Sequence, residues 1–378
     1  MKNKTYKKTS QGFSLVELMV AMAIGLVILS GIYHYFYSVG QSNRLLKAES
    51  RMQENARIAF ATITSIVQQA GNFGCGANNK VITKSLIKAD SQLFKPWQFI
   101  EGWEAAGSAY GKPYYTENNR QLKSITSKHW DSTTKTIKPK GTKAKKHTDI
   151  LKLWYVKQVA SLTRIKGQLI YFTGVNLHSG DIVVLNDCRQ QVFAQVCECS
   201  DELGQCKHDQ LYFSLQGKKC PLPSNQPFDL TGLNVDSTEI GLLEHAVFFV
   251  SQRASKYRDK DDNLSSLYVR YLGKGIQPAN KQEILEGVES LQVLYGEDKN
   301  LNGVANTYVS ADKVGNWEHI VSIKVSLLLR SMANNLTIDK QLVYFNGAVL
   351  SSAQKDRYLR RVYSSTIKLR NRGLVSVL

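Results

Sequence analysis

Three groups of residues have types and spacings that suit chemistry. The first is Gly12, Phe13 and Glu17. Glu17 stands at the mouth of a run of 26 residues, 18–43, that contains no Asp, Glu, Lys or Arg. An ionised carboxylate at that position is costly unless it finds a partner. Gly12 has no side chain, so the backbone there can extend and be approached closely. Lys2, Lys4, Lys7 and Lys8 precede it with no acid among them.

The second group is six cysteines: Cys75, Cys188, Cys197, Cys199, Cys206 and Cys220. Two readings are open for them, bridges or metal ligands. An export signal comes first in the chain, which favours an oxidising compartment and bridges. Cys197, Cys199, Cys206 and Cys220, with His208 nearby, imitate a zinc cluster, but their spacings match no common zinc module. On a strand Cys197 and Cys199 point to opposite faces, so each bonds elsewhere.

The third group is Asp298, Asn300, Asn302, Gly303, Val304 and Asn306. Asp298, Asn300, Asn302 and Gly303 satisfy the start of a calcium loop, with Asn306 at its ninth position and Val304 at the backbone-carbonyl position. The twelfth position is Val309, which supplies no carboxylate. A calcium site and a tight Asn/Gly turn are both open; Glu297 or Asp312 is the nearest source of a further acid. No other cofactor is indicated.

Charge adds one more candidate. The chain of 378 residues carries a net charge of +18, and removing the four leader lysines leaves it basic. Nine Lys or Arg fall between Arg120 and Lys146 against one acid, Asp131. The bland reading is a solvated surface loop. The sharper one is a patch for DNA or an anionic surface through Lys143, Lys145 and Lys146, with His129 and Trp130 as stacking groups. No nucleophile elbow, Walker loop, dinucleotide fingerprint or HExxH is present, so an enzyme is not expected.

The elements that position these residues follow from periodicity. Residues 18–43 are long enough to cross a ~30 Å hydrocarbon core as a helix. They exceed the roughly 7–15 apolar residues of a secretory signal peptide. Beyond Arg44 the helix continues with one apolar stripe: Leu45, Ala48, Met52, Ala56, Ala59, Ile63, Ile66 and Ala70. No proline interrupts 13–70, and Gly71 is a plausible stop. About 58 residues at ~1.5 Å rise give a rod of roughly 85–90 Å. His34 lies among Tyr33, Tyr35 and Tyr37, as an interfacial residue rather than a ligand.

After Cys75 the pattern turns to short strands, at 150–156, 168–173, 181–186, 191–196, 211–215, 243–252, 266–272, 289–295, 320–330, 341–345 and 361–369. The expected fold is α+β: a long transmembrane and amphipathic helix packed on a mainly antiparallel β-sheet head with large insertions. The domain boundaries expected are a leader at 1–12, the helix at 13–72 with 18–43 in the membrane, and a head at 73–378 carrying the basic insertion 105–148.

The segment from Gly12 to Leu18 resembles the leader site of type IV pilins and type II secretion pseudopilins. The resemblance implies that a prepilin peptidase cuts between Gly12 and Phe13 and N-methylates Phe13. It also implies that Glu17 pairs with the Phe13 amine of a neighbouring subunit during assembly. Many major pilins have proline where this chain has His34, so their helix geometry does not transfer wholesale. Two stretches, 287–296 and 316–331, and the terminal stretch 359–372 are similar to the PilW-type minor pilins; secretion pseudopilins of the J type share a related ending but are much shorter chains.

That family implies a subunit that primes pilus assembly with other minor pilins and the assembly platform, beneath a tip adhesin, in support of twitching, adhesion or DNA uptake. It implies an inner-membrane protein with a cytoplasmic N-terminus and a periplasmic head, later carried into the surface pilus. By analogy it also implies a Cys75–Cys188 bridge, leaving the other four cysteines to pair locally. The rivals are a type II secretion pseudopilin and a pilus-borne module that binds DNA or a surface.

Overall fold

A computed structural model describes residues 14–74, 82–87, 98–108, 110–111, 130–131, 144–166, 169–196, 210–212, 232–253, 264–271, 280–337, 341–350 and 357–372. Its contacts divide into two units, Met1–Arg51 and Met52–Leu378. One helix, α1 (Leu15–Gln69), is long and apolar enough to cross a membrane. Within the first unit its large apolar side chains, from Leu15 to Val39, are exposed on every face. Within the second unit a single stripe is buried: Met52, Ala56, Ala59, Ile63, Ile66 and Val67. The change from an all-round apolar helix to a striped one is the change the sequence pattern predicts, because only one face of the second half has a partner to bury against.

The helix ends where a left-handed residue is required. Gly71 has φ +72°, and a Cβ there would lie 2.4 Å from the Phe99 ring. Its N–H donates to Trp154 O at 3.0 Å. Asn371 Nδ2 donates to Ala70 O at 2.9 Å and reaches Gln68 O at 3.4 Å, so a residue 301 positions away satisfies carbonyls the helix end leaves open.

The head is built from two principal sheets. The first contains β1 (Ile82–Ser85), β2 (Ile100–Ala105), β3 (Trp130–Asp131), β4 (Ile150–Lys166), β5 (Leu169–Thr173), β6 (Ile182–Asn186), β7 (Gln190–Gln195) and β8 (Gln210–Tyr212). It also contains β9 (Glu239–Gln252), β10 (Ser265–Tyr271) and β11 (Gln282–Glu286). Its main path runs β1-β7-β6-β9-β4-β2-β3. The C-terminal sheet contains β12 (Val288–Glu297), β13 (Thr307–Val309), β14 (Ile320–Arg330) and β17 (Arg360–Lys368), in the order β13-β12-β14-β17. A hairpin, β15 (Val343–Phe345) and β16 (Ala348–Leu350), stands apart. Described pairings are antiparallel except β1 with β7. The fold is therefore α+β, with one long helix and a mainly antiparallel head.

Two departures from the expected strands have physical causes. β2 was not expected, because its six residues Ile-Glu-Gly-Trp-Glu-Ala are all buried and two are acids. Burial on both faces removes the alternation that marks a strand, and buried Glu101 is bonded by Lys152, its direct cross-strand partner, at 3.1 Å. β4 runs ten residues beyond the expected stop at 156, through a register shift between Val156 and Gln158 that breaks its period.

One glycine in β2 is fixed by the neighbouring sheet. A Cβ at Gly102 would sit 1.8 Å from the Tyr295 hydroxyl. Gly102→Ala is therefore expected to destabilise the head by about 1–3 kcal/mol through overpacking. A urea titration of the full chain in detergent, with Gly241→Ala, where the closest atoms are 3.0 Å away, as a milder comparison, checks this.

Candidate assembly interface

The described part of the N-terminal motif begins at Ser14; Gly12 and Phe13 lie outside the described residues. Ser14 caps α1. Its backbone N–H donates to Glu17 Oε2 at 2.9 Å, and its Oγ accepts from Val16 N at 3.3 Å. This is the capping-box spacing, with the Ser14 hydroxyl taking the second helical amide instead of the third. Reading the segment for charge alone passes over it, although the Ser-x-x-Glu spacing ahead of an apolar run is a known signature. Glu17 thus satisfies an orphan N–H at the helix start while lying beside a wholly exposed apolar surface. A carboxylate held at a helix N-terminus is also favoured by the helix dipole. The arrangement presents one anion at the head of a long greasy surface, which is chemistry for packing and charge pairing rather than for bond making.

The other candidate residues fall elsewhere. Cys188 is disulfide-bonded; Cys75, Cys197, Cys199, Cys206 and Cys220 lie outside the described residues. The chain leading to Cys75 nevertheless meets the chain leading to Cys188. Asn186 Nδ2 donates to Phe73 O at 3.2 Å, and Asn186 Oδ1 accepts from Cys188 N at 3.0 Å.

In the Asp298 loop the side-chain oxygens are turned onto the loop's own amides. Asp298 Oδ1 accepts from Asn302 N at 3.2 Å and Oδ2 from Gly303 N at 2.7 Å. Asn306 Oδ1 accepts from Lys299 N and Asn300 N, and Asn302 Oδ1 from Val304 N. Glu297 Oε1 accepts from Asn316 N at 2.7 Å, while Asp312 is bonded by the Ser310 hydroxyl. One loop carboxylate with both oxygens engaged offers a hard dication little. Among the described residues no group of three His, Cys, Asp or Glu is placed to hold a metal.

The basic patch is corrected at one position. Lys145 is buried, and its ammonium donates to Glu289 O at 3.0 Å. Burial pushes its pKa down to about 8, against the pull of Glu289. The reason is local: Lys145 N–H bonds Val250 O, and Asp149 N–H bonds Leu291 O, so the segment bridges the two sheets. Lys145 therefore cannot meet a polyanion. Lys146 is half-buried, and Lys143 lies outside the described residues. The end of the expected insertion 105–148 belongs to the core.

What the bridging segment holds together is a pair of buried charge clusters that sequence reasoning did not find. In the first, Arg360 Nε and Nη2 donate to Glu289 Oε2 and Oε1 at 2.8 and 3.0 Å, and Arg330 Nε lies 3.9 Å from Glu289 Oε1. Arg330 also stacks on the Tyr358 ring at 4.1 Å. In the second, Asp149 accepts from Ala105 N at 3.0 Å and Val293 N at 2.9 Å, and Glu104 hydrogen-bonds to it. The first cluster joins β12, β14 and β17, the strands formed by the resemblance-bearing segments.

The comparisons agree with this anatomy. Residues 247–371 match the family model described as Type IV Pilus-assembly protein W, and 7–33 match the prokaryotic N-terminal methylation motif. A pilin-like protein, PilA3 of Thermus thermophilus, is 39% identical over 61 residues, which is 16% of this chain and 26% of that relative. The match thus spans about a quarter of that relative's length. No solved structure matches. An apolar N-terminal helix with a methylation motif, carrying a β-sheet head, defines a type IV pilin-like protein. The domain formed by the last strands, within residues 247–371, is similar to the PilW family, which together with the methylation motif supports a type IV pilus minor pilin of that kind.

Proposed function

We propose that this minor pilin primes type IV pilus assembly. A prepilin peptidase cuts after Gly12 and methylates Phe13. Residues 18–43 hold the subunit in the inner membrane with the head in the periplasm. On entry into the filament, Glu17 neutralises the Phe13 amine of a neighbouring subunit. Other minor pilins, the assembly platform and a tip adhesin are its partners, and its role is structural rather than catalytic.

The observation that carries this reading is the exposed apolar surface of α1 with a single carboxylate at its start. Such a surface requires lipid first and other helices afterwards. The Asn186 contacts to Phe73 and Cys188 support a Cys75–Cys188 bridge as the tie between the helix end and the head.

Mass spectrometry of the mature N-terminus tests the proposal. The expected species is methylated Phe13, converted to the unprocessed chain by Gly12→Val or by loss of the peptidase. Glu17→Val should be processed normally yet recovered in sheared pili at a small fraction of the wild-type amount. A retained Met1 overturns the processing step, and loss of protein secretion with pili intact moves the chain to the secretion system.

A further inference from the structure

The two edges of the C-terminal sheet differ in character. β13, at one side, is three residues long. β17, at the other, pairs with β14 over nine residues without a register shift. Leu369 N–H bonds Val321 O, and Ser331 N–H bonds Leu359 O. Odd-numbered residues of β17 therefore turn their amides toward β14, and even-numbered residues turn theirs outward.

The outward row is closed at its start and open after that. Arg360 N–H is taken by Gln341 Oε1 at 2.8 Å. Val362 is half-buried and packs with Val343 against Phe345 and Leu328. From Ser364 to Lys368 the outward N–H and C=O groups have no partner among the described residues, and Ser364, Thr366 and Lys368 are exposed. Proline, a bulge and great shortness are absent from Arg360–Lys368, and charge, at exposed Arg361 and Lys368, is the guard this edge carries. Val362, Tyr363, Thr366 and Ile367 are good strand formers.

We propose that this edge accepts an extended segment of another protein as an added strand, with acidic side chains on its solvent face. The even-numbered side chains of β17 share that face with β14, and Lys324, also exposed, is the cross-strand partner of Thr366. Ser364 and Ser326 bond each other at 2.8 Å, leaving Lys368 and Lys324 as the charges nearest the edge. An incoming Asp or Glu placed opposite Lys368 meets its ammonium, and Lys324, one strand further in, adds to the positive field of that face. A second copy of this chain fits badly, because the even-numbered residues of its β17 and their β14 partners include no acid and would bring only further cations to this face. Main-chain bonds supply the affinity of such a complex, and alternate side chains supply its selectivity.

The inference rests on the assembly reading only in expecting a protein partner, and its test needs neither leader processing nor a pilus. The full chain in detergent is mixed with an acidic peptide that alternates Val with Glu or Thr, or with the same peptide carrying Lys for Glu. Deuterium exchange is followed across 360–369. The acidic peptide should slow exchange of the outward amides at least about tenfold, and the lysine peptide should not.

Thr366→Pro removes an outward N–H and spares the β14 ladder, so it should abolish protection while leaving the denaturation midpoint unchanged. Ile367→Pro, which breaks the ladder, shows what loss of the strand itself looks like. The proposal fails if neither peptide slows exchange or if protection survives Thr366→Pro. It also fails if protection without peptide rises with protein concentration, which would assign the edge to a second copy.

Discussion

Glu289→Ala is expected to destabilise the head by about 3–5 kcal/mol, the cost of leaving buried cations without their counter-charge. Arg360 loses both of its bonds to the carboxylate, and Arg330 loses its nearest anion among the described residues. Lys145 stays bonded to the Glu289 carbonyl but keeps two arginines as neighbours. The three side chains come from β14, β17 and the 144–149 bridge, so the loss loosens the C-terminal sheet at its junction with the rest of the head. Arg360→Lys should recover less than half of the stabilisation, because an ammonium cannot make the paired bonds of a guanidinium. Chemical denaturation of the full chain in detergent reads both values. A Glu289→Ala cost below about 1 kcal/mol would falsify the assignment of this cluster as the clamp of the sheet.

Alkaline pH should weaken the wild-type head, and Glu104→Gln should blunt that loss. Burial is the main cause that raises the Glu104 pKa to about 10, with Asp149 and Asp312 adding to it. Burial likewise lifts Asp149 to about 7, opposed by the N–H groups of Ala105 and Val293. The pair therefore keeps a proton at neutral pH, with Glu104 as donor and Asp149 as the acceptor of two backbone amides. Tyr295, Lys313 and Ser108 complete the surroundings.

For a carboxyl whose folded pKa is raised, stabilisation is complete below the unfolded pKa and is lost as pH climbs through the folded one. Between pH 7 and 9 one retained proton corresponds to about 1.4 kcal/mol per pH unit, so roughly 3 kcal/mol is at stake. Lys145, with its pKa lowered to about 8, contributes with the opposite sign across that window. The comparison of wild type with Glu104→Gln isolates the acid pair, since Lys145 is common to both. Equal slopes of stability against pH in the two proteins would refute the shared proton. Asp149→Ala should be more damaging than Glu104→Gln at pH 7, because it strands two buried N–H groups at about 1–3 kcal/mol each.

Some of this protein was written in local pattern. α1 was expected at 13–70 and runs Leu15–Gln69, because its apolar period and the left-handed Gly71 are properties of neighbouring residues. β14 falls at the expected Ile320–Arg330, where polar and apolar residues alternate from Ser322 to Leu327, and β17 falls within one residue of its expected limits. The capping box at Ser14 and Glu17 was equally legible, as a spacing of three. β2 was not, since buried Glu101 and Glu104 look like surface residues until Lys152 and Asp149 are placed beside them.

The same contrast separates class from construction. The sequence by itself determined a helix long and apolar enough to cross a membrane, one carboxylate at its head, and a strand-rich domain behind it. Those follow from hydropathy and from contacts between residues a few positions apart. The tertiary structure alone decided that Lys145 is a bridge in the core rather than a hand for DNA. It alone paired Glu289 with Arg360, 71 positions away, and brought Asp149 to Val293, 144 positions away. It also decided which edge of β17 is open, since the direction in which an amide points depends on the partner strand. Burial of a charge is a property of the whole fold, because its cost is met only by groups that the chain brings from far along its length.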